Sequence, residues 1–259
     1  MFVIKLGGSV ITDKSRKNIF KKEATLRLVT EIKEAGKQVI VVHGAGSFGH
    51  ILAKKYELDK GYKNKDQLPG VAEVQRDVKD LSLRVLNAFL EGGMNAVSLA
   101  PSAFLVNQAK RIKHMDTGNF KRYLEADITP ITFGDVVVDE SLIFSIVSGD
   151  QLMLELAKVF RPEMVIFVAD VDGIYTGNPN LDKDAQLLPT VDKEVLTNIR
   201  KSDGVVDDVT GSILGKSKIM LEIAAHGIDT IILNGNSKNR LKDALMGRDV
   251  LCTKFERIG

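Results

Sequence analysis

The chain of 259 residues has one cysteine, Cys252, so it can close no disulfide within itself. That usage suits a reducing compartment and predicts a cytoplasmic protein. Cys252 lies in Val250-Leu251-Cys252 and reads as a packed thiol. No apolar run approaches the roughly 20 residues that span a bilayer. The opening Phe2-Val3-Ile4 is too short, and lacks the basic lead, for a signal-peptide core. Net charge is only +2, which excludes nucleic-acid binding by bulk charge. The histidines and the cysteine make no cluster with metal-site spacing, and no nucleophile–histidine–acid pattern stands out. Internal repeats, low-complexity segments and linkers are also missing. What remains is one domain over residues 1–259, with 44% hydrophobic and 27% charged residues. A functional division falls near residue 160.

The chain is organised around His43-Gly44-Ala45-Gly46-Ser47-Phe48-Gly49-His50. Before it runs Gln38-Val39-Ile40-Val41-Val42, which reads as a buried parallel strand. Three glycines in six residues let backbone N–H groups approach an anion, and a helix starting near Ser47 adds its positive end. A second glycine loop, Lys5-Leu6-Gly7-Gly8-Ser9, ends the first strand. Two such loops suggest two phosphate groups brought together.

The remaining pattern alternates strand and helix. Helices are predicted at 22–35, 71–90, near 117–125, from Ser148 to about 159, near 192–200, and at 239–246. Strands are predicted at 2–6, 38–42, 95–99, 129–132, 164–168, 230–233 and near 249–253. Residues 136–138 and 142–146 flank Asp139-Glu140-Ser141 as a β-hairpin. Residues 9–20 read as loop, and the polar stretch 57–69 as a lid or a surface loop, with the lid favoured. Asn178-Pro179 signals a turn. This alternation predicts an α/β fold: an αβα three-layer sandwich on a mostly parallel central sheet, with ligands outside the carboxyl ends of the strands.

Two motifs mislead. Gly44 to Gly49 matches G-x-G-x-x-G, but the region about 20 residues on, around Asp66, is a polar loop and not the strand end that a dinucleotide site needs. Gly211 to Ser217 resembles a P-loop, but only three residues separate its glycines where four are required.

Moving a phosphoryl group between two anions is mainly positioning and charge neutralisation, usually with Mg²⁺. Lys5 is oddly polar for a central strand and reads as functional. Lys14 and Lys218 are candidates to converge on the same phosphate, and Asp150 to orient Lys5 and Lys14. Asp170 and Asp172 follow a central strand, where a turn cap and a ligand role weigh equally. His50 stands on the helix that leaves the glycine loop and can donate to an acceptor phosphate. His43 reads as buried and hydrogen-bonded, and His114 and His226 as ordinary surface or helix-end residues.

Four stretches together resemble the amino acid kinase superfamily over essentially the whole chain. They are Lys5-Leu6-Gly7-Gly8-Ser9, Val42-His43-Gly44-Ala45-Gly46, Asp170-Val171-Asp172-Gly173-Ile174-Tyr175, and Thr210-Gly211 followed by Lys218. Within it, Gly46-Ser47-Phe48-Gly49-His50, Ser148-Gly149-Asp150 and Ser9-Val10-Ile11-Thr12-Asp13-Lys14 are most similar to the isopentenyl phosphate kinases. The resemblance implies transfer of the γ-phosphate of ATP to isopentenyl phosphate, in a homodimer formed through the helix at 71–90. It implies that Lys5 and Lys14 stabilise the transferring phosphoryl, that Asp150 organises them, and that His50 holds the acceptor phosphate with Gly44, Gly46, Gly49 and Gly149 nearby. It implies Lys5, Gly7, Gly8, Ser9, Ala45, Asp170, Asp172, Gly173, Tyr175, Gly215 and Lys218 on the ATP side. About 1–160 would then be the acceptor half and 161–259 the ATP half. Gly211-Ser212-Ile213-Leu214-Gly215 departs from the Gly-Gly-Met of many members by an apparent insertion. Ile146 stands where amino-acid-specific members have asparagine. An apolar residue there fits a greasy tail, lined by Val74, Val78, Val137 and Ile146. A uridylate kinase would need polar groups for a base, and a non-catalytic nucleotide sensor would lack the lysines and the histidine.

Overall fold

The computed structural model describes all residues except 14, 178, 180–181, 203–209 and 257–259, and the backbone alone at 199–202 and 210–214. Lys14, Asn178 and Asp207 to Val209 of the second glycine-bearing segment therefore lie outside the described residues.

In chain order, β1 (Phe2–Leu6) runs into a single turn, α1 (Gly8–Ile11), then α2 (Lys22–Ala35) and β2 (Val39–His43). Next come α3 (Gly46–Lys55), the long α4 (Leu68–Glu91) and β3 (Ala96–Ser98). A hairpin of β4 (Leu105–Gln108) and β5 (Arg111–Met115) precedes α5 (Gly118–Glu125) and β6 (Thr129–Phe133). β7 (Asp135–Asp139), β8 (Ile143–Val147) and α6 (Gly149–Phe160) follow. After β9 (Met164–Ala169) stand the short β10 (Ile174–Tyr175), β11 (Leu187–Leu188) and β12 (Thr190–Val191), then α7 (Lys193–Ser202) and α8 (Thr210–Ala225). β13 (Asp229–Asn234), α9 (Arg240–Leu245) and β14 (Cys252–Phe255) close the fold.

Eight strands form one sheet in the order β12-β14-β13-β9-β1-β2-β6-β3. Neighbours are parallel except β13 and β14. Strand alternation sorts the two faces. Phe2, Ile4 and Leu6 of β1 pack with apolar residues of α2, α3, α4 and α9. Val3 packs with α5, α6, α7 and α8 on the other face. Helices on both sides of a mostly parallel sheet are the architecture that the alternating pattern predicts.

A smaller four-stranded sheet, β5-β4-β7-β8, sits beside the large one. The β7–β8 hairpin was legible, but β4–β5 was not. Its tight turn places Ala109 and Lys110 at φ of +49° and +66°, a conformation that normally draws Asn and Gly. Tertiary contacts hold it instead. The buried Asp139 carboxylate accepts from the N–H groups of Ala109 (3.0 Å) and Lys110 (2.8 Å), from Ser141 and Leu142, and from the Ser145 hydroxyl.

Residues 57–67 are not a free lid. They form two 3-10 turns, Leu58–Lys60 and Lys65–Gln67. The buried Gln67 amide staples them, accepting from the N–H of Lys63 and donating to the carbonyls of Tyr56 and Gly61. Leu58 is fully buried in a third apolar cluster with Leu52, Val74, Val78, Phe133, Val136 and Phe144. No helix among the described residues is long and apolar enough to cross a membrane.

Candidate active site

Lys5 points to the same face of β1 as Val3, and its side chain is 8% exposed. A buried ammonium needs a partner. Lys5 Nζ donates to Asp150 Oδ1 and lies 5.8 Å from the centre of the Phe167 ring. Asp150 stands in the first turn of α6, whose Ser148 and Gln151 form a reciprocal capping box. That box fixes the helix start, and with it Gly149 and Asp150, opposite the end of β1.

The two glycine loops touch backbone to backbone. A Cβ on Gly8 would sit 2.7 Å from the N and Cα of Gly46, and one on Gly44 would sit 2.8 Å from Gly8 N. Only glycine permits that approach. The cap residues Gly7 and Ala45 supply no side-chain hydrogen bond to α1 or α3, and in the first turn of α3 the Thr12 hydroxyl takes the Ser47 N–H. Both helices start at the carboxyl edge of the sheet, where their remaining first-turn N–H groups form the arrangement that attracts an anion.

These elements surround a cleft of about 680 Å³ open to solvent. At one end it is lined by Lys5, Gly7, Gly8, Gly44, Gly49, His50, Gly149, Asp150 and Lys216. The other end is apolar, formed by Ala53, Val74, Val78, Val136 and Ile146. Val137, expected here, belongs to the core of the opposite cluster with Leu105 and Val147. Its neighbour Val136 takes the place, because successive residues of a strand face opposite ways. Asp135 also lines the cleft. Burial pushes its carboxyl above the usual range, against the N–H groups of Ser102 and Val136 that favour the ion.

The other candidates divide. Ala45 lines the cleft, and Gly46 is buried beneath Gly8. Ser9 Oγ donates to Asp170 Oδ1 at 2.8 Å, tying the first loop to the end of β9. Asp172 accepts from Arg240, Asn234 (3.2 Å) and the Tyr175 hydroxyl (3.2 Å). Burial raises its pKa, but the Arg240 and Asn234 hydrogen bonds outweigh that and hold the carboxyl below the ordinary range. Gly173 packs on Thr253. None of Asp170, Asp172, Gly173 or Tyr175 lines the cleft itself.

On α8, Gly215 and Lys218 are exposed, and Lys218 borders a separate depression with Leu196 and Leu221. Lys216 is the lysine of this helix that reaches the cleft. Two residues of helix are about 200° of rotation, so both lysines cannot face one site. Lys216, Asp135 and Val136 are the site residues that the sequence did not single out. The signal for Asp135 was a carboxylate placed directly after Phe133-Gly134, at the end of a predicted strand.

His43 is fully buried, stacked on Phe133 with ring centres 5.2 Å apart. Its Nδ1 lies 3.1 Å from Gly44 O, which fixes the neutral tautomer with Nδ1–H donating. Nε2 has no partner among the described residues. Burial lowers its pKa from 6.5 to about 4, against the Gly44 hydrogen bond. The unfolded chain then binds a proton that the fold refuses, so stability falls as pH drops from about 6.5 towards 4. The loss reaches about 3 kcal/mol. In urea titrations from pH 7 to 4, His43→Gln should show a shallower loss of stability than the native chain. Equal slopes would contradict this account.

Comparison with known proteins places this geometry. Residues 1–234 match the amino acid kinase family model. The isopentenyl phosphate kinase of Methanothermobacter thermautotrophicus is 39% identical over 264 aligned residues, covering 98% of both chains. That of Thermoplasma acidophilum is 36% identical, covering 94% of this chain and 95% of its own. A solved isopentenyl phosphate kinase structure superposes with a TM-score of 0.86 at 36% identity, covering 98% of this chain and 99% of the other. The chain belongs to the amino acid kinase family and, within it, to the isopentenyl phosphate kinases.

Proposed function

We propose that this chain transfers the γ-phosphoryl group of ATP to isopentenyl phosphate, giving isopentenyl diphosphate and ADP. An oxygen of the acceptor phosphate attacks the γ-phosphorus, and the bond to the β–γ bridging oxygen breaks. The observation that carries this reading is the two-ended cleft. Cationic and glycine-rich at one end and apolar at the other, it suits an anion attached to a short hydrocarbon.

In this reading Lys5, held in place by Asp150, balances the charge on the transferring group, where fixed cations act most strongly. Lys216 adds a second cation. Lys14 is assigned the same role on the resemblance of its loop. His50, Gly49 and Gly149 hold the acceptor phosphate, while Val74, Val78, Val136 and Ile146 enclose the tail. The loops after β1 and β9 take the nucleotide, with the Ser9–Asp170 bond joining them. The chain divides accordingly near residue 160 into acceptor and nucleotide halves. Among the described residues no three His, Cys, Asp or Glu side chains converge on one point. Mg²⁺ is therefore assigned to the phosphates of the incoming nucleotide, whose charge it neutralises. Uridylate fits less well, because the far end of the cleft presents aliphatic side chains to whatever replaces the tail.

ADP release measured with isopentenyl phosphate, uridylate and acetylglutamate separates these readings, and turnover with isopentenyl phosphate alone is the expected result. His50→Ala should raise the KM for the acceptor about tenfold or more, with the KM for ATP nearly unchanged. Equal shifts in both constants would remove His50 from the acceptor side.

We further propose a cytoplasmic homodimer that meets through α4. Leu83 and Leu90 are more than half exposed and Leu86 partly so, and their spacing puts all three on one helix face. Leu83→Glu with Leu90→Glu should convert a dimer to a monomer in sedimentation. A native chain that sediments as a monomer would refute the assembly.

A further inference from the structure

The loop between α1 and α2 is closed at its base and pinned at its tip. At the base, Asp13 N–H donates to Ile19 O (2.9 Å), Lys21 N–H donates to Ile11 O (2.8 Å), and Thr12 bridges Phe20. The Thr12 hydroxyl joins that base to both glycine loops, donating to Gly8 O (2.6 Å) and accepting from Ser47 N–H (3.2 Å). At the tip, Asn18 Nδ2 donates to Asp77 Oδ2 at 3.1 Å, and Lys17 Nζ lies 3.6 Å from the same oxygen. Asp77 Oδ1 accepts from Arg76 Nε (2.9 Å) and Nη2 (2.7 Å).

Asp77 is an unusual residue for its place. It is buried on α4 between Val74 and Val78, which line the apolar end of the cleft. Burying a carboxylate costs several kcal/mol before its partners act, and an apolar side chain would pack there without that cost. Burial raises its pKa, but the Arg76 and Asn18 hydrogen bonds outweigh that, so the group stays ionised. Its partner Asn18 is equally particular. It holds a left-handed backbone at φ +58°, and its Oδ1 is buried without a hydrogen bond among the described residues. The Asn18 amide is thus turned towards one purpose, the bond to Asp77.

We propose that Asp77 is a positioning residue for phosphoryl transfer: through Asn18 and Lys17 it holds the loop carrying Lys14 in register with the α4 wall of the acceptor pocket. The proposal rests on the reading of Lys14 given above. One helix then sets both where the tail lies, through Val74 and Val78, and where the 13–19 loop stands. Loosening the clamp misplaces a transition-state contact and leaves ground-state binding alone, so its signature is in kcat.

Asn18→Gly is the discriminating variant. It removes the Asn18 half of the clamp and leaves the Lys17 ion pair, while glycine accepts the left-handed backbone, so the fold should hold. Its kcat should fall about thirtyfold, with both KM values within about twofold of the native chain. Asp77→Asn should lower kcat similarly, and the double variant should be no slower than the slower single one. Trypsin should cut after Arg16 or Lys17 faster in both variants. Native kcat in Asn18→Gly, a multiplicative loss in the double variant, a rise in KM without loss of kcat, or unchanged cutting would each overturn the proposal. The tryptic readout needs no turnover. A native chain inert towards isopentenyl phosphate would refute the assigned reaction and the catalytic part of the proposal, while faster cutting would still establish the clamp.

Discussion

Gly8 and Gly46 meet with no space for a side chain between them, and the site depends on that contact. It brings the loop after β1 against the start of α3, so the first turns of two helices meet beside one cleft. Lys5, one residue before the end of β1, lines the same cleft. A methyl on Gly8 would meet the Gly46 backbone, which no flexible side chain can absorb, and one on Gly46 would collide with the Thr12 hydroxyl that joins the two loops. The charged end of the cleft is thus built from main chain and one buried ion pair.

The other end is built by different means. Val74 and Val78 come from α4, Val136 from β7 and Ile146 from β8, so helix and small sheet close on each other around an apolar space. The Gln67 staple fixes the outer wall by packing Leu58 into the same cluster. Asp135 also lines the cleft, with a carboxyl that burial disposes towards protonation. In the proposed reading, an anion with a short hydrocarbon lies here without exposing the tail to water or the phosphate to oil.

Much of this was written locally in the chain. The strand-to-glycine-loop transitions, the odd polarity of Lys5 and the position of His50 after Phe48-Gly49 all depend on neighbours in sequence, and the cleft gathers all three. What depended on distant partners was not legible. The turn at Ala109-Lys110 has no glycine or asparagine because Asp139, about thirty residues away, supplies the hydrogen bonds. Val137 was chosen over Val136 because a hairpin's start sets its facing, and one residue of register inverts it. Lys218 was chosen over Lys216 because its helix phase is fixed by packing, with Ser217 and Met220 buried against the sheet.

The most direct test is a crystal structure with a non-hydrolysable ATP analogue and isopentenyl phosphate bound together. The account predicts the γ-phosphate within hydrogen-bond reach of Lys5 Nζ, the acceptor phosphate against His50 and Gly149, and the hydrocarbon between Val74, Val78, Val136 and Ile146. Nucleotide phosphates bound away from Lys5, or a tail lying outside those four side chains, would contradict it.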